Sequence, residues 1–206
     1  MKKLAIGLMS GTSLDGIDCV LATIEGTGVD TSVVQLCANT FPYEPQLLQK
    51  IESCMNPTMC TAELISSVHF ELAMAYSDAV HTLCAECNVK VEDVDFISSH
   101  GQTIYHINQT TDRYHQSSLQ LGDGSVLANL CGTTVVSNFR NADIAQGGCG
   151  APLVPYADFV LFREEHKTVA LHNIGGIANV TVLPKNGPID SVFAFDTGPG
   201  NMMIDE

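Results

Sequence analysis

Three short apolar or alternating runs open the chain. "KLAIGLM", "IDCVLATI" and "TSVVQLCANTF" are separated by glycine-containing turns, and that pattern predicts three strands of an antiparallel meander. The period then lengthens. Leu64, Val68, Leu72, Ala75, Ala79 and Leu83 recur at helical spacing, and Asn56-Pro57 is expected to cap and open that helix. Further on, "VDFISSHGQT" reads as a buried strand ending in a polar turn. "DGSVLANLCG" reads as a short helix stopped by Gly132, and "TTVVSNF" as another strand. Strands and helices alternate from there, so the expected class is α/β.

The opening pattern returns late in the chain. "TVALHNIGGIANVTVLP", Thr168 to Pro184, repeats the strand, glycine turn and strand of Leu4 to Ile24, and "SVFAFD" supplies a third strand. Two copies of one hairpin suggest a duplicated domain. Each turn offers consecutive backbone N–H groups free of side-chain bulk, an arrangement that binds phosphate oxygens. Two such turns facing each other across a cleft would grip one nucleotide. Glycines in hairpin turns serve equally to reach positive φ. What favours a ligand is the repetition, together with Asp15 and Asp18 in the first copy.

Composition narrows the function. At 206 residues the chain is one large domain or two small ones, and its 45% hydrophobic and 16% charged residues are those of a globular protein. No apolar run approaches the ~20 residues of a membrane span. The N-terminal apolar run ends after Met9 and is interrupted by Gly7, short of a signal peptide, so the expected location is the cytoplasm. A net charge of −14 with only nine Lys plus Arg argues against nucleic acid. A phosphorylated ligand would have to be held by backbone N–H groups and a divalent cation. The eight cysteines fall mostly singly in hydrophobic contexts and are expected to be reduced and packed. The Cys84/Cys87 pair lacks a second CxxC or histidine at zinc spacing. His106 and His115 flank a polar loop and carry no assigned role.

Five motifs, "MSGTSLDGID", "SHGQT", "DIAQGGCGAPLVP", "NIGGIANVT" and "FDTGPGN", stand in an order that resembles the N-terminal portion of the anhydro-N-acetylmuramic acid kinase family. That family sits within the superfamily of acetate and sugar kinases, heat-shock ATPases and actin. The resemblance runs from Leu4 to Asp205. It implies mixed sheets flanked by helices in two ribonuclease-H-like (actin-like ATPase) lobes, the first over 1–138 and an incomplete second beginning over 139–206. It also implies ATP in the cleft and conversion of 1,6-anhydro-N-acetylmuramic acid, ATP and water to N-acetylmuramic acid 6-phosphate and ADP in peptidoglycan recycling. Family members continue beyond this length through a segment that holds the adenosine. The chain is therefore expected to be truncated, with impaired ATP binding.

Residue roles follow from the same resemblance. Gly11, Thr12, Ser13, Leu14, Asp15, Gly16, Ile17 and Asp18, with Gly175 and Gly176, would contact ATP, Asp15 reaching Mg²⁺ through water. Asp196 would be the base that activates water at the anomeric carbon, although an Asp before a glycine-rich turn also serves as a helix cap. Arg140 and Asp143 would face the sugar, Arg140 suiting the lactyl carboxylate, and a loop salt bridge between them is the structural alternative. His100 and Gln102 would bond sugar hydroxyls, although a histidine ending a buried strand is as often satisfied by backbone. No protein metal site is expected, and a homodimer stays open. Another sugar kinase of the superfamily, or a non-catalytic lobe that binds a sugar or a partner protein, remains an alternative.

Overall fold

In a computed structural model, residues 1–200 and Met203 are described. Asn201, Met202, Ile204, Asp205 and Glu206 lie outside them. The chain divides into two compact units. One comprises Lys2–Ile24 with Val34–Gly150, and the other comprises Met1, Glu25–Val33 and Ala151–Glu206.

The first unit is built on a mixed sheet. Strands β1 (Lys3–Ser10) and β2 (Ile17–Glu25) pair antiparallel from Lys3 opposite Ile24 to Met9 opposite Asp18. Strand β3 (Ser32–Phe41) lies at the edge beside β2, completing the expected meander. Strand β4 (Phe96–Ile107) runs parallel to β1, and β5 (Ser117–Leu121) returns antiparallel to it. Strand β6 (Val135–Ser137) pairs parallel with β4. Ile6 and Leu8 of β1 and Ile17, Cys19 and Leu21 of β2 are buried in one core with the helices. Their alternation is the period-2 pattern of a sheet covered on that face.

Helices α1 (Pro45–Met55), α2 (Ala62–Glu86) and α3 (Gly124–Cys131) cover the sheet. Val68, Leu72, Ala79 and Leu83 of α2 are buried, as the helical spacing predicts. The start of the helix differs from expectation. Asn56 ends α1, its side chain accepting from the Thr58 N–H, and Thr61 caps α2 by accepting from Leu64 N–H at 3.2 Å. "NP" is thus the corner between two helices, because the Asn56 side chain closes a local turn. Helix α1, absent from the sequence expectation, buries Leu47, Ile51 and Cys54 on one stripe. Gly132 ends α3 at φ 64°, as expected of a left-handed C-terminal glycine.

Strand β4 also departs from expectation, because it continues straight through "SHGQT". Gly101 makes this passable: its φ is 75°, and a Cβ there would stand 2.7 Å from the Leu121 carbonyl of β5. The cysteine expectation fails at one pair. Cys37 of β3 and Cys87, just beyond α2, are joined as a disulfide with Cα atoms 6.6 Å apart. Cys19, Cys54, Cys84 and Cys131 are buried free thiols, whereas Cys149 is exposed.

Helix α4 (Phe139–Ala145) closes the first unit. In the second unit, α5 (Val154–Phe162) accompanies β7 (Val169–Ile174), β8 (Ile177–Leu183) and β9 (Phe193–Pro199). These three strands form an antiparallel meander in the order β7-β8-β9. The second strand–turn–strand motif is therefore present as the repeat predicts. Among the described residues, no helix is long and apolar enough to cross a membrane.

Candidate functional site

The first hairpin turn is held from below by the core. Gly11 accepts from Leu14 N–H at 3.3 Å, and Leu14 sits at φ 59°, a left-handed conformation rare for a branched side chain. Gly16 is buried at φ 153°, and a Cβ on it would stand 2.7 Å from the Phe41 carbonyl at the end of β3. Thr12, Ser13 and Asp15 are exposed on the turn, with the Ser13 hydroxyl donating to Asp15 at 2.8 Å. Asp18 is exposed on β2 and accepts from Thr40 Oγ1 at 2.6 Å. Ile17 follows the turn but buries its side chain in the core.

Gln102 is the pin of this turn. It is fully buried; its Nε2 donates to the Gly11 carbonyl at 3.0 Å, and its Oε1 accepts from Tyr43 Oη at 3.0 Å. In this conformation Gln102 offers no polar atom to a sugar and instead fixes the shape of the turn. Ser10, the last residue of β1, shares a buried 2.7 Å hydrogen bond with Tyr76 of α2. Burial pushes the Tyr43 phenol above its usual range, and the negative charges of Asp15 and Asp18 add to the shift. Two carboxylates therefore bear on this turn.

A second cluster lies at a cleft of about 670 Å³ in the same unit, lined by polar side chains including Ser99, His100, Gln120, Asp123 and Asn138. Arg140 Nε donates to His100 Nε2 at 3.0 Å. A guanidinium has only donors, so Nε2 must carry the lone pair and His100 Nδ1–H must donate to the Gly101 carbonyl at 2.7 Å. The neutral form is favoured: burial lowers the His100 pKa, and the Arg140 charge lowers it further. Arg140 Nη1 also donates to the Gly150 carbonyl at 2.7 Å, while Asp143 accepts from Gly150 N–H at 2.7 Å. The two side chains thus grip the backbone on either side of Gly150 rather than each other, and the expected alternative of an Arg140–Asp143 salt bridge does not form. A Cβ on Gly148 would displace the Asp143 carboxylate from this arrangement.

Two buried polar atoms were not legible in the sequence. Ser99 Oγ, at the cleft, and His106 Nε2 have no hydrogen-bond partner among the described residues. His106 Nδ1 lies 2.9 Å from Ser118 Oγ, which also accepts from Gln120. Nothing in "FISSH" distinguishes Ser99 from Ser98, because only the strand's pairing decides which hydroxyl turns inward.

In the second unit, Gly175 and Gly176 form the turn between β7 and β8, and Gly200 N–H donates to the Gly176 carbonyl at 3.0 Å. A Cβ on the buried Gly200 would run into the Gly175 carbonyl. Asp196 lies within β9, paired opposite Asn179, and its side chain is exposed. The strand runs on to Pro199, so the helix-capping alternative fails. A cap at Asp196 would need N–H donors two or three residues on in a helical first turn, where Gly198 lies in the strand and Pro199 has no N–H. Among the described residues no cluster of three or more His, Cys, Asp or Glu side chains could hold a metal.

This mixed α/β chain, with a glycine turn pinned to its core, matches the family model for anhydro-N-acetylmuramic acid kinase over residues 3–206. It belongs to that family. The anhydro-N-acetylmuramic acid kinase of Francisella tularensis subsp. novicida (strain U112) is 53% identical over 202 residues, covering 98% of this chain and 53% of the relative. The enzyme of that name from Clostridioides difficile (strain 630) is 49% identical, covering 98% and 52%. That of Caldanaerobacter subterraneus subsp. tengcongensis is 48% identical, covering 100% and 52%. The chain spans about half the length of the curated relatives it matches. Among solved structures, a reductive activator for a corrinoid, iron-sulfur protein covers 97% of this chain and 31% of its own at 13% identity. Its TM-score of 0.41 is too loose a likeness to define the fold.

Proposed function

We propose that the full-length protein is an ATP-dependent kinase that converts 1,6-anhydro-N-acetylmuramic acid and water to N-acetylmuramic acid 6-phosphate and ADP. The family match across residues 3–206 carries this reading. On this reading the chain comprises a ribonuclease-H-like lobe over 1–138 and the start of a second over 139–206, and the reaction takes place in the cytoplasm, where peptidoglycan sugars are recycled. The turn from Gly11 to Asp18, with Gly175 and Gly176, holds the ATP phosphates.

Phosphoryl transfer depends on alignment and charge neutralisation. The turn supplies backbone N–H groups and the Thr12 and Ser13 hydroxyls. Asp15, exposed beside them, suits Mg²⁺, which takes one or two carboxylates with phosphate and water oxygens rather than an all-protein cage. A bound Mg²⁺ would offset the charge of the phosphates against Asp15 and Asp18. On the sugar, Asp196 takes a proton from water as the water oxygen bonds to C1 and the C1–O6 bond breaks. The freed O6 then bonds to the γ-phosphorus as ADP leaves. His100 and Arg140 orient the sugar, Arg140 facing its carboxylate, and Asp143 on the same helix holds the Gly150 loop in place. Gln102 acts one step back, through Gly11.

The test is incubation of the full-length enzyme with ATP and the anhydrosugar in ¹⁸O-labelled water. The reading expects ATP-dependent 6-phosphate carrying the label on the anomeric carbon. Phosphorylation of ring-opened amino sugars at equal efficiency, or product without label, would overturn it in favour of another sugar kinase.

A further inference from the structure

The Cys37–Cys87 pair belongs to no part of the proposed reaction, yet it bears on the strand that shapes the glycine turn. Cys37 lies on the edge strand β3 and Cys87 on the residue that ends α2, so the pair ties two elements across 50 residues of chain. Their Cα separation of 6.6 Å lies inside the roughly 4.4–6.8 Å that a disulfide spans without backbone movement. A second contact runs alongside, Asn39 Nδ2 donating to Glu86 at 3.2 Å. Three residues beyond Cys37, Thr40 binds Asp18, and the next residue, Phe41, places its carbonyl against Gly16. Whatever holds Cys37 therefore steadies the floor of the turn.

We propose that Cys37 and Cys87 are a reversible thiol–disulfide modification site whose oxidation staples β3 to α2 and stiffens the turn from Gly11 to Gly16. The oxidant is a low-molecular-weight disulfide. The thiolate of one cysteine attacks a sulfur of the oxidant, forming a mixed disulfide and releasing one thiol. The other cysteine's thiolate then attacks the protein sulfur of that mixed disulfide and expels the second thiol. The protein loses two thiol protons and two electrons, and the oxidant takes up both to become two thiols. Both cysteines are half-buried and within reach of a small oxidant. Cys84, one helical turn before Cys87, does not compete: it is buried, and that burial pushes its thiol above the ordinary range and keeps it protonated.

The experiment compares the 206-residue chain in glutathione disulfide and in dithiothreitol, with no substrate present, so its outcome is separate from that of the kinase reading. Counting thiols after denaturation, the oxidised sample loses two of eight, and peptide mass mapping joins Cys37 to Cys87. The unfolding midpoint rises by several degrees. Amide hydrogen exchange over Gly11–Gly16 slows relative to the reduced sample. Cys87→Ser abolishes all three differences, and Cys37→Ala, on the exposed edge strand, serves as the second variant should Cys87→Ser fail to fold. Eight thiols surviving the oxidant, modification confined to Cys149, or a cross-link through Cys84 would overturn the site. Unchanged exchange in a chain cross-linked at Cys37–Cys87 would overturn its effect on the turn.

Discussion

Asp196 and His100 show how far the environment of one side chain sets its chemistry. Asp196 sits in a strand with its carboxylate exposed, free of the capping role that an Asp before a glycine turn often has. Asp196→Asn keeps size and one acceptor but removes the base. Steady-state kinetics on the full-length enzyme should show turnover falling about 10²–10⁴-fold with KM little changed. Asp15→Asn should instead weaken ATP use and its dependence on Mg²⁺. His100 is the opposite case, a buried ring held neutral between Gly101 and Arg140. Its folded pKa lies below the ordinary 6.5, so between those two values the unfolded chain binds more protons than the folded one. Stability should therefore be undiminished above pH 6.5, fall as pH drops below it, and stop falling from this source once pH passes the folded pKa. Thermal melts across that range show the trend, and the slope from this group should vanish in His100→Gln. Gly16 is a third kind of constraint. Gly16→Ala meets both an unfavourable φ and the Phe41 carbonyl, and chemical denaturation should register a loss of about 1–3 kcal/mol.

The helices and strands were legible wherever one periodicity dominated. Helix α2 declares itself through Val68, Leu72, Ala79 and Leu83, and both glycine hairpins declare themselves through alternation around a turn. Where two signals overlapped, the pattern misled. Asn56-Pro57 has the composition of a helix start, but the apolar stripe of α1 just before it makes the pair a corner, and the true cap is Thr61. Thr61→Ala should accordingly cost about 0.5–2 kcal/mol in urea denaturation, as removal of a capping side chain does. In β4 the polar letters of "SHGQT" look like a turn. The strand persists because His100 and Gln102 find partners within the protein and Gly101 lets the chain pass β5. The same long-range partners explain why the candidate site was only half readable. The turn's glycines and carboxylates are visible as a local motif. That Gln102 supports Gly11, and that Arg140 and Asp143 bond the carbonyl and the N–H of Gly150, depends on residues outside each local motif. The Cys37–Cys87 pairing is hidden for the same reason.

Each of the two units carries one antiparallel meander with a glycine turn, and the chain as a whole carries a net charge of −14. An acidic protein that takes up a polyanion cannot use long-range attraction, so the cation and the backbone must supply the affinity. ATP binding to this protein should therefore strengthen as Mg²⁺ is added, rather than show the attraction of a basic site that salt weakens. The length of the relatives bears on how strong that binding becomes. The 206 residues span about half of each, and on the proposed reading the adenosine is held outside the stretch they match. Phosphate contacts from the Gly11–Asp18 turn would then act without the apolar burial of the base, which ordinarily contributes several kcal/mol; every 1.4 kcal/mol missing weakens Kd about tenfold. Calorimetry with Mg²⁺–ATP should accordingly find the 206-residue chain at least about 100-fold weaker than the full-length enzyme, with inorganic triphosphate binding it nearly as well as ATP. Equal affinity in the two, or a strong preference for ATP over triphosphate in the shorter chain, would mean that these residues already hold the base, and the assignment of the nucleotide to the glycine turns would have to be redrawn around that contact.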